Sequence, residues 1–251
     1  MIRARSGGAA VAIRHEDGFL QRGAEVTRIE AFVDAAFAFA ITLMVISIDE
    51  IPDSIDALKL ALKAIPSYAA SFLLIALFWR GHADWSRRYG LDDRQSQRLS
   101  LLLVFLVLIF IYPLRMVFDA LFSWVSNGWL PAKFALSTLS DLRLMFAVFA
   151  LAFGSMGLVS CLLYVHAWRL RERIGLDALE RDLTRYAMLR WAVIPLFALI
   201  SLALTAWLPM IPGVPWTVAL PGCIFFGLHL VQLLMPIQHR RILARHGPLA
   251  P

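Results

Sequence analysis

The chain of 251 residues is poor in charge: only 17% is Asp, Glu, Lys or Arg, whereas an average soluble domain carries about 25%. With 60% hydrophobic residues and a mean hydropathy of +0.70, this excludes an ordinary soluble domain. Cysteine is nearly absent. Cys161 and Cys223 both lie inside long apolar runs, which excludes a disulfide framework and a multi-cysteine zinc or iron–sulfur site. Gly-rich phosphate loops and strand-like runs are missing too, and Ser155 and Ser160 lack a nucleophile-elbow context, so the sequence predicts neither an enzyme nor a resident cofactor. A net charge of +6 and a pI near 9.8 would suit nucleic acid if the basic residues shared one folded face. They fall instead between apolar runs, which points to membrane lipid and to no nucleic-acid partner.

What the chain does have is long hydrophobic runs. A membrane helix needs about 20 mostly apolar residues to cross a core of about 30 Å. Such runs recur six times, at residues 29–48, 68–79 with a start a little earlier, 99–118, 144–168, 191–208 and 216–235. The apolar part of the second is short, so its helix is expected to begin within 58–65, with Lys59 or Lys63 near the interface. Of the 24 basic residues, all but Lys59, Lys63, Arg115, Lys133 and Arg143 fall in the N-terminal stretch, the loops after the second and fourth spans, and the C-terminal tail. Cytoplasmic loops collect positive charge, so this alternation predicts an all-α, six-span, multi-pass protein of the cell membrane with both termini cytoplasmic.

The expected organisation is a cytoplasmic tail over 1–26, read as a flexible arm without a signal peptide, a transmembrane domain over 27–238, and a cytoplasmic tail over 239–251. Trp79, Tyr112, Trp168, Trp191, Trp207 and Trp216 sit near span ends and read as interface anchors.

The first span is unusual. Arg28, Glu30 and Asp34 occupy its first two turns, although a charge in hydrocarbon costs about 2.5–3.5 kcal/mol on insertion scales. Glu30 is placed readily among headgroups; Asp34, about 9 Å further along the axis than Arg28, is not. Five alanines between Ala31 and Ala40 keep the helix thin, which permits close approach of a neighbour or a symmetry mate. Ala35, Phe39, Thr42 and Ile46 share one stripe. From spacing alone, a packing seam with Thr42 bonded to its own helix ranks ahead of a pore wall.

These residues match a family. Arg28-x-x-x-Phe32-Val33-Asp34-Ala35, followed by Phe37-Ala38-Phe39-Ala40-Ile41-Thr42-Leu43, resembles the first-helix signature of the transmembrane protein 175 family of potassium channels. Ser71-Phe72-Leu73 and Phe78-Trp79-x-x-His82 resemble its second-helix pattern, and Ser100 through Tyr112-Pro113 its third, so the resemblance covers Arg28 to Met116. It implies a homotetramer whose first helices line a central pore. Phe39 then takes the constriction and Thr42 a threonine ring that contacts transient potassium, with Ala35, Leu43 and Ile46 also lining the pore. Arg28, Asp34 and His82, supported by Phe32, Trp79 and Ser100, become a polar network bracing the pore helix at its cytoplasmic end. Two positions depart from the family: Val33 replaces a serine, and Phe39 is bulkier than the usual aliphatic residue. No Thr-Val-Gly-Tyr-Gly-like loop occurs, so selectivity is expected from side-chain rings rather than a carbonyl filter.

Other constellations carry less. His82, His166 and His229 lack the spacing of metal or haem ligands and read as hydrogen-bonded or interfacial side chains. Gly154 and Gly157, with Ala150 a turn earlier, suit close helix packing. Asp49 and Glu50, followed by Asp53 and Asp56, form a solvated loop before the amphipathic stretch 54–65. Around a tetrameric pore the same carboxylates would ring the outer mouth and concentrate cations. The expected function is a passive potassium-preferring channel with no fixed metal. The alternatives are a proton-coupled transporter relaying through Asp34 and His82, or a non-conducting membrane scaffold, which Phe39 favours.

Overall fold

The computed structural model describes residues 14, 17–20, 22–23, 25–46, 52–132, 136–209, 211 and 214–246. The chain runs through α1 (Arg28–Ile46), α2 (Ile55–Lys63), α3 (Ile65–Tyr89), α4 (Arg94–Val125), α5 (Leu139–Arg169), α6 (Ala178–Trp207), α7 (Pro215–Cys223), a 3-10 turn (Ile224–Phe226) and α8 (Gly227–Arg245). Among the described residues, four helical stretches are long and apolar enough to cross a membrane: Ile55–Tyr89, Arg94–Val125, Leu139–Arg169 and Ala178–Trp207.

The helices overrun the apolar runs because polar caps, invisible to hydropathy, set their ends. Asp93 opens α4 by accepting the Gln95 and Ser96 amides. Reciprocal capping boxes open α5, through Thr138 and Asp141, and α6, through Asp177 and Glu180. Gly90 closes α3 in the left-handed conformation at φ 58°, where a Cβ would also meet the Arg22 carbonyl oxygen at 2.9 Å.

Side-chain bonds show that consecutive long helices run antiparallel. One end of the bundle gathers the start of α1, the end of α3, the start of α4, the end of α5 and the start of α6, tied by Trp79–Asp34, His82–Ser100, His166–Asp93 and Tyr89–Thr184. The opposite end is tied by Arg115 to the Met44 carbonyl, Ser67 to Asp119, and Arg143 to the Leu208 carbonyl. The arginine-rich loops after α3 and α5 therefore lie at the same end as the N-terminal segment.

The described residues of that segment, 14, 17–20 and 22–23, are tied to the bundle, unlike the expected free arm. Phe19 is buried edge-on against Tyr89, and the Arg22 guanidinium makes a two-pronged ion pair with Glu180 at 2.6 and 2.7 Å. Glu180 is 0% exposed, so the pair is a buried anchor joining two segments far apart in sequence. Asp17 bonds Arg88, and Arg14 bonds Asp177. Trp191 is a second correction. At 5% exposure it lies in the core, stacked on Tyr164 and tilted against Phe78, and Gly81 leaves room for its ring. Trp207, in contrast, is exposed.

Candidate functional site

α1 is fixed at its start by a capping box that also reaches its neighbour. The Glu30 carboxylate accepts the Thr27 amide at 2.6 Å, the Thr27 hydroxyl accepts the Glu30 amide at 3.3 Å, and the other Glu30 oxygen accepts the Ser86 hydroxyl of α3. Glu30 is thus half-buried and bonded rather than resting among headgroups. The spacing Thr27-x-x-Glu30 is a capping signal legible in the sequence.

Beyond that start the helix has two unlike faces. Val33, Phe37, Ala40 and Met44 are buried against α3 and α4, following the 3–4 rhythm of a helix face. Asp34, Ala35, Ala38, Phe39, Thr42 and Val45 are exposed, and Phe39 alone leaves 56% of its surface open. Leu43 is half-buried beside this face. The Ile46 side chain, Asp49 and Glu50 lie outside the described residues. The bulky exposed residues of α4 and α6 include Leu101, Phe105, Ile109, Leu189, Leu196 and Leu199, a pattern suited to lipid. The open face of α1 instead mixes a carboxylate, a hydroxyl and small residues around one aromatic ring. Thr42 donates to the Ala38 carbonyl at 3.0 Å, which leaves its oxygen lone pairs free to accept or to meet a cation.

The proposed polar network is divided within one chain. Trp79 donates its indole N–H to Asp34 at 2.8 Å on the exposed side, whereas His82 Nε2 lies 2.8 Å from Ser100 Oγ in the interior between α3 and α4. Arg28 is exposed at the first residue of α1. Six residues separate it from Asp34, about 120° apart around the helix at 3.6 residues per turn, so the two do not meet on one α1. Phe32 is exposed on the same helix. His166 pairs with Asp93, remote from His82, and among the described residues no group of three or more His, Cys, Asp or Glu is placed to hold a metal.

The sequence reading missed a second polar cluster at the far end of α1. Arg115 and Asp119 of α4 are buried, and Arg115 Nη1 donates to the Met44 carbonyl at 2.8 Å. Asp119 accepts the Ser67 hydroxyl of α3. The signal available in the sequence is an Arg and an Asp spaced i, i+4, but Asp119 falls just past the apolar run at 99–118 and so resembles an ordinary span end.

Residues 28–113, which contain α1, α3 and most of α4, match the family of the endosomal/lysosomal potassium channel TMEM175. A potassium channel of Marivirga tractuosa is 28% identical over 223 residues, covering 83% of this chain and 89% of its own length. A potassium channel of Streptomyces collinus is 38% identical over 103 residues, which cover 39% of this chain and 50% of that protein. The crystal structure of a variant of the potassium channel MtTMEM175, in complex with a nanobody–MBP fusion protein, superposes with a TM-score of 0.75 at 26% identity, over 93% of this chain and 100% of that one. These relatives are named as channels rather than enzymes, and they extend the likeness well past α4. With the two-faced α1 and the bonded motif residues Asp34, Trp79, His82 and Ser100, these likenesses support the TMEM175 family of potassium channels as the one this chain resembles.

Proposed function

We propose that the chain forms a passive, potassium-preferring channel in the cell membrane, as a homotetramer with α1 lining the central pore. The observation that carries this reading is the open face of α1. Asp34, Ala35, Ala38 and Thr42 are poor lipid-facing residues, and four copies packed around an axis would remove them from lipid while keeping Thr42 accessible to ions. At 19 residues α1 is about 28 Å long, close to the hydrocarbon thickness. With α3 to α6 and the α7–α8 segment it makes six spans. The arginine-rich end is assigned to the cytoplasm by charge bias. A cysteine replacing Asn127, at the opposite end, should then label from outside.

In this arrangement Phe39 forms the narrowest ring and Thr42 the next ring outward, about 4.5 Å away along the axis. The apolar ring resists hydrated ions by dewetting. The threonine hydroxyls replace part of a hydration shell, which potassium gives up more readily than sodium. A carrier would be expected to break paired helices at related positions. Among the described residues, the 3-10 turn at Ile224–Phe226 interrupts the last segment, and the turn at Ala64 falls before α3 begins rather than within it.

The test is reconstitution into liposomes with an outward potassium gradient. Fast, passive, ionophore-like flux supports the channel. Slow flux that collapses with the proton gradient would replace it by a carrier, and absence of flux by a scaffold.

A further inference from the structure

We propose that Arg115 is a positioning residue for conduction: from within α4 it holds the outer end of the pore-lining helix and sets both the place of the Thr42 ring and the local potential. This rests on the reading of α1 as the pore helix. Arg115 is 4% exposed and Asp119 6%, in the most apolar of the four spanning stretches. Buried charge is costly in such a setting, and the two opposite charges, one turn apart on α4, offset each other. Arg115 Nη1 donates to the Met44 carbonyl at 2.8 Å, its Nε stands 3.9 Å from Asp119 Oδ2, and Asp119 accepts the Ser67 hydroxyl. One guanidinium thereby links α1, α4 and α3.

The acceptor it has chosen is significant. The last four carbonyls of a helix have no intrahelical donor, and together they carry the negative end of the helix dipole. α1 has no basic residue in its last turn to answer them. Arg115 supplies a cation from another helix: one arm of its guanidinium bonds the Met44 carbonyl while Nε stands 3.9 Å from the Asp119 carboxylate, a spread that a compact lysine ammonium spans less well. The opposite end of α1 is held by Glu30 to Ser86 and Asp34 to Trp79. Phe39 and Thr42 lie between these anchors on the exposed face, and the Thr42 hydroxyl bonds only its own helix among the described residues. Thr42 is two residues, about 3 Å, from the carbonyl that Arg115 grips, and Phe39 is five residues, about 7.5 Å. Loosening Arg115 therefore disturbs the threonine ring first.

Charge gives a second, signed consequence. The Arg115 and Asp119 charges offset each other in the native protein. Removing the carboxylate leaves four uncompensated cations around the outer half of the pore, which repel potassium; removing the guanidinium leaves four uncompensated carboxylates, which attract it.

Single-channel recording in planar bilayers tests this, because it reads only molecules that have assembled. Asp119→Asn is expected to lower unitary potassium conductance several-fold. Arg115→Met is expected not to lower it but to reduce the potassium-over-sodium preference several-fold, with Arg115→Lys between Met and wild type in preference. Wild-type conductance and preference in Asp119→Asn and Arg115→Lys would overturn the proposal, as would a fall in conductance of the same size in Asp119→Asn and Arg115→Met. Should Arg115→Met fail to assemble, the other two variants decide. Thr42→Ala separates the two levels of the argument: if it changes preference while the Arg115 and Asp119 variants do not, only this proposal fails. If Thr42→Ala is also inert, α1 does not line the pathway.

Discussion

Trp79 donates its indole N–H to the Asp34 carboxylate at 2.8 Å, tying the middle of α3 to the second turn of α1 on the side of the bundle that one chain leaves open. The bond fixes an exposed carboxylate in one rotamer on the very face assigned to the pore. Asp34→Ala leaves the indole N–H without its acceptor, and Trp79→Phe leaves the carboxylate without its donor. Each is expected to lower stability by about 1 kcal/mol, the ordinary net worth of such a bond, and to reduce flux. Asp34→Asn keeps an acceptor oxygen and should retain most of the stability. Thermal unfolding in detergent beside liposome flux checks this, and unchanged values for all three variants would mean that Asp34 merely faces water.

Acid should loosen the arginine-rich end. Desolvation acts to raise the Asp93 carboxyl, but the His166 hydrogen bond and the Ser96 and Gln95 amides outweigh it and hold the group below the usual carboxylate range. A depressed folded value means that the stabilisation is fully present above the unfolded pKa and is lost as pH falls through the folded one. With an ordinary aspartate near 3.9, the loss is confined to pH below about 4. Asp177, opposed by desolvation but held down by Arg14 and the Glu180 amide, titrates in the same sense. The melting temperature of wild type should thus fall more steeply below that pH than that of Asp93→Asn; parallel curves would remove Asp93 from the account.

α5 and α6 approach closely where glycine permits it. A Cβ at Gly157 would lie 2.4 Å from Cγ2 and 2.7 Å from Cβ of Ile194, and one at Gly154 would lie 2.6 Å from Cβ of Ala198. Neither neighbour is the loose end of a flexible side chain. Gly157→Ala should therefore cost about 1–3 kcal/mol through overpacking, partly offset by about 1 kcal/mol of helix propensity. Ile194→Ala in the same background should recover part of the loss, and an additive double mutant would show that the two positions do not meet.

The N-terminal segment should detach when its anchor is cut. Glu180→Gln leaves the Arg22 guanidinium without its counter-ion in a buried setting, a change expected to cost about 3 kcal/mol, at the low end for buried pairs because the Ile174 and Gly175 carbonyls still accept from Arg22. Limited proteolysis around residues 14–23 should become rapid in the variant and remain slow in wild type. Equal rates would show that Phe19, Asp17 and Arg14 hold the segment without the Arg22–Glu180 pair.

How far the sequence spoke depended on the range of the interaction. Apolar runs located the four helical stretches long and apolar enough to cross a membrane because hydropathy is a local property, and the spacing from Arg28 to Thr42 marked α1 because the special residues sit within a few turns. Caps moved the boundaries: Asp93 and Asp177 begin α4 and α6 well before the apolar runs do, since a cap is polar. Burial by distant partners could not be seen. Nothing near Glu180 says that Arg22 will meet it, and nothing near Trp191 says that Gly81 will leave room for its ring. The polar network was half legible. Asp34 and His82 were singled out, but the sequence could not tell that one bonds Trp79 at the surface and the other Ser100 inside.

The exposed face of α1 gives the most direct test of function. Phe39 is exposed and bulky, and Thr42, its hydroxyl hydrogen committed to Ala38, turns lone pairs outward from the same helix face. If four Phe39 side chains form the constriction, trimming them to alanine widens and wets the narrowest point, so Phe39→Ala should raise unitary conductance and weaken discrimination between potassium and sodium. Thr42→Ala removes the oxygens that replace water around the ion while hardly changing the width at Phe39, so it should weaken discrimination with a smaller change in conductance. Phe39→Leu, restoring an aliphatic ring, should conduct with preference retained. The measurement is bilayer recording with potassium and sodium on opposite sides. If Phe39→Ala leaves the current unaltered while Asp34 and His82 variants abolish transport, the central-pore reading gives way to a relay through those two residues.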